Sequence, residues 1–268
     1  MTDPAPTVHA RAAATATPRV DSRYRIAAWA LAVLFAVSLA GNLVLVRIAQ
    51  GYFRNTLSIR LDPAGLKTYA ADRVKPLAGG PLLLFFGDSR AYMWPDPKAP
   101  TGFRVVNHGI SYQTTEQILL RVDEDAASLH PSAVVLEAGV NDLKTIAEMP
   151  ELRGQIVADC EANLSRIVDR LQESGATVIL VSIFEIGDIS LLKRPFWSED
   201  VSAAVREVNA FLATLTGPKV VLFDANKVLD DGHGHVVRDY QMDYLHLLPA
   251  GYSALNAKLV PLLATIAK

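Results

Sequence analysis

Five short apolar runs alternate with longer amphipathic segments through most of the chain. The runs occupy residues 82–86, 103–107, 133–138, 177–184 and 219–223. Strands that are buried on both faces read as continuous apolar runs, and helices placed between them make the strands lie parallel. The pattern therefore predicts a three-layer α/β/α domain built on a five-stranded parallel sheet.

Composition agrees with one sizeable domain, which we place at residues 81–268. The chain has 268 residues, half of them hydrophobic, and a formal net charge of -2. This is enough apolar material for a large core, and the lack of a basic excess argues against a nucleic-acid partner. The single cysteine, Cys160, has no partner for an internal disulfide.

The N-terminal region has a different composition. Residues 1–25 are rich in Ala, Pro and Thr at first, which predicts a disordered tail. Residues 26–46 carry no charge and are long enough to cross a hydrocarbon core of about 30 Å, so we predict a single transmembrane helix. A cleaved signal peptide ending near residues 38–40 and a buried core helix are the alternatives.

Residues 47–80 are predicted to form a membrane-proximal connector. A short helix is expected within it, with Asp62 as its N-cap and Pro63 at its first position. The arginines on the two sides of residues 26–46 give a small excess that favours a cytoplasmic N-terminus. The large domain is therefore expected outside the cytoplasm.

Ligands of open parallel sheets bind at the carboxyl ends of the strands, so the residues that follow each run are the candidates for chemistry. Gly87, Asp88 and Ser89 follow the first run. A serine in this turn exposes its hydroxyl and its N–H at the strand end. The alternative is that Ser89 only caps the next helix.

The second and third runs are followed by further candidates. Gly109 lets a backbone N–H approach a ligand closely, although a simple turn also requires a glycine. Asn141 supplies a side-chain amide that suits a developing oxyanion, although asparagine is also common in turns. We expect Asp142 to cap the segment after it.

Asp243 and His246 are three residues apart near the C-terminus. At this spacing one carboxylate can hold one imidazole nitrogen while the other nitrogen faces a nucleophile. A serine hydrolase needs this division of roles. A surface histidine before a helix is the alternative.

Four segments, "FFGDSR", "NHGISYQTT", "EAGVND" and "DYLHLLPAGYSAL", resemble in order and spacing the four sequence blocks of the SGNH hydrolases, also called GDSL esterases/lipases. The resemblance extends from about residue 82 to the end of the chain. It implies a flavodoxin-like sheet and a serine esterase that needs no cofactor.

The resemblance also implies roles for individual residues. Ser89 matches the nucleophile, His246 the base and Asp243 its orienting carboxylate. The N–H groups of Ser89 and Gly109 and the Asn141 side chain match the oxyanion hole.

One residue departs from the family pattern. The name-giving motif has leucine after the serine, and this chain has Arg90. Arg90 is expected either to bind an anionic group of the substrate or to form a salt bridge. Trp94 and Trp197 are candidates for lining the substrate site, with packing between loops as the alternative.

No metal site is predicted. His233 and His235 lie beside two aspartates, but their spacing in a Gly-rich turn does not match a common zinc site. We expect an esterase that removes short acyl groups from a carbohydrate or another small ester. An O-acyltransferase acting on an envelope carbohydrate and a non-catalytic binding module are the alternatives.

Overall fold

The computed structural model describes residues 21–74, 79–97, 102–187, 189, 191 and 197–266. The chain separates into two compact units, Met1–Ser58 and Ile59–Lys268. Most of the predicted disordered tail, up to residue 20, lies outside the described residues. The unit that contains the sheet begins at Ile59, so it includes part of the predicted connector.

Helix α1, Ser22–Leu61, contains the predicted transmembrane segment and continues beyond it. Its 40 residues correspond to about 60 Å at 1.5 Å per residue. None of its side chains is buried by protein, and its most apolar window has a mean hydropathy of 2.2. By length and composition, α1 is able to cross a membrane.

The connector helix predicted to start at Asp62 does not form at that position. The Asp62 carboxylate accepts hydrogen bonds from the N–H groups of Leu66 and Lys67, which closes a turn. Gly65 has a φ of +73°, which a helix does not accommodate. Only the last residues of the segment are helical, as α2, Ala70–Val74.

The five predicted strands are present and all neighbouring pairs are parallel. They are β1 (Leu82–Gly87), β2 (Arg104–Gly109), β3 (Ala133–Glu137), β4 (Thr177–Val181) and β5 (Val220–Phe223). The spatial order is β2-β1-β3-β4-β5, the flavodoxin-like order. Gly87 pairs with Gly109 and with Glu137, so three strands end together at one edge.

Helices cover both faces of the sheet, which confirms the three-layer prediction. They are α3 (Ser89–Tyr92), α4 (Thr115–Leu119), α5 (Val122–Asp125), α6 (Val140–Leu143), α7 (Arg153–Glu173), α8 (Glu199–Thr214), α9 (Asn226–Leu229) and α10 (Pro249–Ile266). Alternate residues of β1 point to opposite faces. Leu84 and Phe86 join the core under α7 and α8, whereas Leu83 and Phe85 join the core under α10.

The helix expected between β2 and β3 is interrupted at Arg121. This residue has φ -117° and ψ 2°, and its side chain is buried. Its guanidinium donates to the carbonyls of His108 and Gly87 and to the Gln113 side chain. The arginine thereby ties the ends of β1 and β2 together, at the expense of one continuous helix.

Candidate active site

Ser89 lies at the turn that leaves the central strand β1. A Cβ on Gly87 would lie 1.8 Å from the Glu137 carbonyl oxygen, so only glycine fits at the end of the strand. The Asp88 carboxylate caps α3 by accepting the Arg90 N–H at 2.8 Å. Ser89 is the first residue of α3, where the N–H group has no partner inside the helix.

Ser89, His246 and Asp243 form a continuous hydrogen-bonded chain. Ser89 Oγ is 2.9 Å from His246 Nε2, and His246 Nδ1 is 2.9 Å from Asp243 Oδ2. With the Nδ1 proton donated to the carboxylate, Nε2 is free to accept the serine proton. The predicted nucleophile, base and carboxylate are thus brought together in hydrogen-bonding order.

The Asp243 carboxylate is held by its own turn. Asp243 Oδ1 accepts the N–H groups of Leu245 and His246 at 2.7 and 2.8 Å. Partial burial acts to raise the pKa of Asp243, but the hydrogen bonds from the His246 ring and from these two N–H groups outweigh it and lower the pKa. The group therefore stays ionised at neutral pH and can stabilise an imidazolium.

Asn141 lies in the first turn of α6, with 4% of its surface exposed. Its Nδ2 donates to the Gln113 carbonyl at 3.0 Å, and its Oδ1 accepts from Lys144 Nζ at 2.6 Å. The amide has two N–H bonds, and this pattern leaves one of them free. Asn141 therefore retains a donor for an oxyanion.

The structure corrects the expectation for Gly109. The Gly109 N–H donates to Asn107 Oδ1 at 2.9 Å, so it is already occupied. A Cβ at Gly109 would lie 2.1 Å from Tyr92 N, so this glycine allows β2 to pack against α3. Glycine is therefore needed at this position because the α3 backbone leaves no room for a side chain.

Tyr112 is a further candidate site residue that the sequence analysis did not identify. It has a φ of +69°, a left-handed conformation that is uncommon for a residue with a side chain. Its N–H has no acceptor among the described residues, and its neighbour Gln113 is bonded to Asn141. A positive φ at a tyrosine leaves no signal in the sequence itself.

Asp142 caps a different helix from the one expected. Its carboxylate accepts the Thr115 N–H at 2.9 Å and the Thr115 hydroxyl at 2.7 Å, at the start of α4. Burial raises the pKa of Asp142 to about 6, and the bonds from Thr115 only partly oppose this. Asp142 therefore fastens α4 to the turn that carries Asn141.

Arg90 lies beneath the site and does not line it, which corrects the substrate-lining expectation. The side chain has no exposed surface. Its Nη1 donates to the Phe184 carbonyl at 3.0 Å and its Nε to the Leu245 carbonyl at 2.9 Å. The guanidinium also stacks on the Phe184 ring at 3.7 Å. Arg90 thus connects the nucleophile turn to the residue before His246.

A pair of buried acids accompanies Arg90. Glu137 and Asp88 are both fully buried, and Glu137 Oε1 is 3.8 Å from Arg90 Nη1. Burial first, and then the charge of Asp88, raise the pKa of Glu137 well above its usual range. The raised pKa favours the protonated form of Glu137 beside the carboxyl group of Asp88, with Arg90 as the neighbouring cation.

The two tryptophans are also interior residues, which corrects the expectation that they line the site. Trp94 is 2% exposed, packs against Phe85 and Tyr252, and donates to Asn256 Oδ1. Trp197 is 8% exposed, with its ring edge-on to Tyr244 at 6.3 Å. Trp94 therefore packs between β1 and α10, and Trp197 packs against Tyr244, the residue that follows Asp243.

The connector packs behind the end of β2. The Tyr69 hydroxyl donates to the Gly109 carbonyl at 2.5 Å, and its ring stacks on His108 at 4.0 Å. Burial raises the pKa of Tyr69 to about 12. Gln113 donates to the Ala64 carbonyl at 2.8 Å. The connector is therefore part of the support of the candidate site.

Within the described ranges, no group of three or more His, Cys, Asp or Glu side chains is arranged to hold a metal ion. Asp230 and Asp231 accept the N–H groups of their own turn, including that of His233. The two aspartates therefore act as hydrogen-bond acceptors that stabilise their own turn.

The fold and the serine–histidine–carboxylate chain define an α/β protein with the arrangement of a serine hydrolase. The family model of the GDSL-like lipase/acylhydrolase family matches residues 85–254. The chain belongs to this family, whose members are ester-hydrolysing enzymes.

Solved structures agree on the fold. A GDSL-like lipase from Bacteroides thetaiotaomicron is 22% identical, with a TM-score of 0.60, over 75% of this chain and 98% of that one. A lipase/acylhydrolase from Enterococcus faecalis is 20% identical, with a TM-score of 0.50, over 69% and 96%. An acetyl xylan esterase is 19% identical, with a TM-score of 0.51, over 67% and 98%. No curated protein matches the chain significantly.

Proposed function

We propose that the protein is a serine esterase in which Ser89 attacks the ester carbonyl. The observation that carries this proposal is the hydrogen-bonded chain from Ser89 Oγ through His246 to Asp243. A serine that only capped a helix would not need a histidine and a carboxylate in line with its hydroxyl, whereas an activated nucleophile does.

The proposed steps use this hydrogen-bonded chain. His246 Nε2 takes the proton of Ser89 as Oγ bonds to the carbonyl carbon, and Asp243 stabilises the imidazolium. When the tetrahedral intermediate collapses, the imidazolium returns this proton to the leaving alcohol. Water then attacks the acyl-enzyme in the same way and releases the acid and free Ser89.

Three donors are proposed for the oxyanion. The Ser89 N–H and the free Asn141 Nδ2–H keep the roles expected from the sequence. Because the Gly109 N–H is occupied by Asn107, we assign the third position to the Tyr112 N–H. Each such donor typically contributes about 10²-fold or more to the rate.

A short acyl group is the proposed substrate feature. One structure of similar fold is an acetyl xylan esterase, in line with an acetylated carbohydrate as the substrate.

The proposed location is a membrane, with α1 as a single-pass anchor and the catalytic domain outside the cytoplasm. Support for the anchor comes from the length, apolar composition and exposed side chains of α1. Support for the orientation comes from the arginines that precede the apolar segment, among them Arg23 and Arg25.

The test uses the detergent-solubilised full chain and p-nitrophenyl esters of acetate, butyrate and octanoate. We expect Ser89-dependent hydrolysis that is fastest with acetate and absent in Ser89→Ala. Product analysis with an acetylated sugar and an added acceptor sugar should show free acetate. Acetate found mainly on the acceptor would instead establish an acyltransferase, and a folded but inactive protein would contradict the proposal.

A further inference from the structure

Lys144 is a cation beside the proposed oxyanion hole. It follows α6 directly, three residues after Asn141, and its Nζ donates to Asn141 Oδ1 at 2.6 Å. In the described part of the chain it forms no ion pair with a carboxylate. Its ammonium also lies 5.7 Å from the centre of the Tyr112 ring. The charge is therefore held by an amide oxygen and an aromatic face.

The contact fixes which way the Asn141 amide points. Nδ2 donates to the Gln113 carbonyl while Oδ1 accepts from Lys144. A flipped amide would place its NH₂ group against the ammonium and its oxygen against a carbonyl, so both contacts would become repulsive. Lys144 therefore keeps the free N–H of Asn141 on the side away from Gln113.

The same contact strengthens Asn141 as a donor. A cation on the amide oxygen draws electron density from the nitrogen, and hydrogen-bond chains polarise one another in this way. Burial lowers the pKa of Lys144, while the nearby Asp88 and Asp142 act in the opposite direction and Arg90 lowers it further. These are the charged groups around the ammonium, and Lys144 is accordingly withdrawn from full solvent screening.

We propose that Lys144 is a positioning residue of the oxyanion hole, which orients and polarises Asn141 and adds positive charge where the tetrahedral intermediate is negative. The inference rests on the proposed function, because it concerns the same reaction. It predicts an effect on the chemical step and little effect on binding of a neutral ester, because the oxyanion exists only after attack.

The test compares three substitutions at Lys144 with a control, using p-nitrophenyl acetate and the solubilised full chain. Lys144→Met removes the bond and the charge, Lys144→Gln keeps a donor without charge, and Lys144→Arg keeps the charge. Lys219→Met is the control, because Lys219 precedes β5, at the amino ends of the strands, and among the described residues its ammonium bonds only to the Gly175 carbonyl.

We expect kcat to fall at least about tenfold in Lys144→Met, with KM changed less than about twofold. The loss should be smaller in Lys144→Gln and smallest in Lys144→Arg, and Lys219→Met should match the wild type. Thermal unfolding midpoints of all variants show that they are folded. If Lys144→Met does not fold, the order of the Gln and Arg variants decides in its place.

Two results would overturn the inference while leaving the proposed function intact. One is a kcat in Lys144→Met within twofold of the wild type. The other is an equal loss in the Gln and Arg variants, because charge would then have no effect. A folded wild type without any Ser89-dependent hydrolysis would overturn the proposed function and this inference together, and the Ser89→Ala comparison distinguishes that case.

Discussion

Replacing Arg90 by leucine, the residue that the family motif has at this position, should cost both stability and activity. The substitution removes the donors to two backbone carbonyls, those of Phe184 and Leu245. The arginine side chain has no exposed surface, so water does not replace these bonds readily. The loss should therefore exceed that of an ordinary surface arginine.

The magnitude follows from the contacts. An unpaired buried polar group costs about 1–3 kcal/mol, so two carbonyls cost about 4 kcal/mol together. Arg90 is also the cation beside the buried carboxyl groups of Asp88 and Glu137, so about 4 kcal/mol is the smaller end of the expected loss. At about 2–4 °C per kcal/mol for a domain of this size, the unfolding midpoint should fall by about 8–16 °C.

Activity should fall because Leu245 precedes His246. Release of the Leu245 carbonyl frees the turn that sets the distance of 2.9 Å between His246 Nε2 and Ser89 Oγ. A displacement of about 1 Å typically costs about 10²-fold in rate. We expect kcat for p-nitrophenyl acetate to fall by about that factor. Arg90→Lys should be intermediate, because it keeps the charge but lacks the planar fork that reaches both carbonyls.

The assay is thermal unfolding together with kcat, both on the solubilised full chain. Arg206→Leu is the matched control, because Arg206 forms an exposed pair with Glu199 and should contribute less than about 1 kcal/mol. An Arg90→Leu protein that unfolds within about 2 °C of the wild type and keeps its kcat would refute the reasoning.

Three further predictions concern the surroundings of the site. Glu137→Gln should lower the unfolding free energy by under about 1 kcal/mol, because the raised pKa of Glu137 favours its neutral form, which glutamine resembles; a loss as large as that of Arg90→Leu in thermal unfolding would contradict this. Because the pKa of Asp142 is raised to about 6, its protonated form stabilises the folded state, most strongly below about pH 4. This contribution of about 3 kcal/mol is lost as pH rises through about 6. Asp142→Asn should remove this contribution, and an unchanged pH dependence of unfolding between pH 4 and 7 would exclude it. A chain that starts at Ile59 should keep Ser89-dependent hydrolysis, whereas one that starts at Pro81 lacks Tyr69 and Ala64 and should lose stability; equal unfolding midpoints would count against the role of the connector.

The sheet and its order could be predicted because they depend on patterns that local sequence records. Buried parallel strands are continuous apolar runs, and helices between them leave few ways to connect the strands. The candidate triad could be predicted for a related reason. Its residues all follow strands or precede α10, so their positions in the chain place them at one edge.

Side-chain directions could not be predicted in the same way. Arg90 follows the nucleophile directly, and only the structure shows that it points inward to Leu245 and Phe184. Gly109 shows the same limit, because a turn glycine has the same letter whether its N–H is free or bonded to Asn107. Lys144 has no motif of its own, although its spacing of three from Asn141 is a usable signal.

Helix boundaries failed where tertiary contacts override local propensity. Arg121 interrupts an otherwise amphipathic segment because its guanidinium serves two strand ends. Asp62 is a residue type that often caps helices, yet here its carboxylate closes a turn that Gly65 makes possible. In both cases a polar side chain satisfies buried or turn backbone groups that the local pattern does not reveal.

The most direct test of the central claim is active-site labelling with a fluorophosphonate, followed by mass spectrometry of the labelled peptide. The account predicts one label on Ser89 in the wild type, no label in Ser89→Ala, and labelling slowed by orders of magnitude in His246→Ala. A folded wild-type protein that is not labelled, or that is labelled at another residue, would contradict the claim that Ser89 is an activated nucleophile.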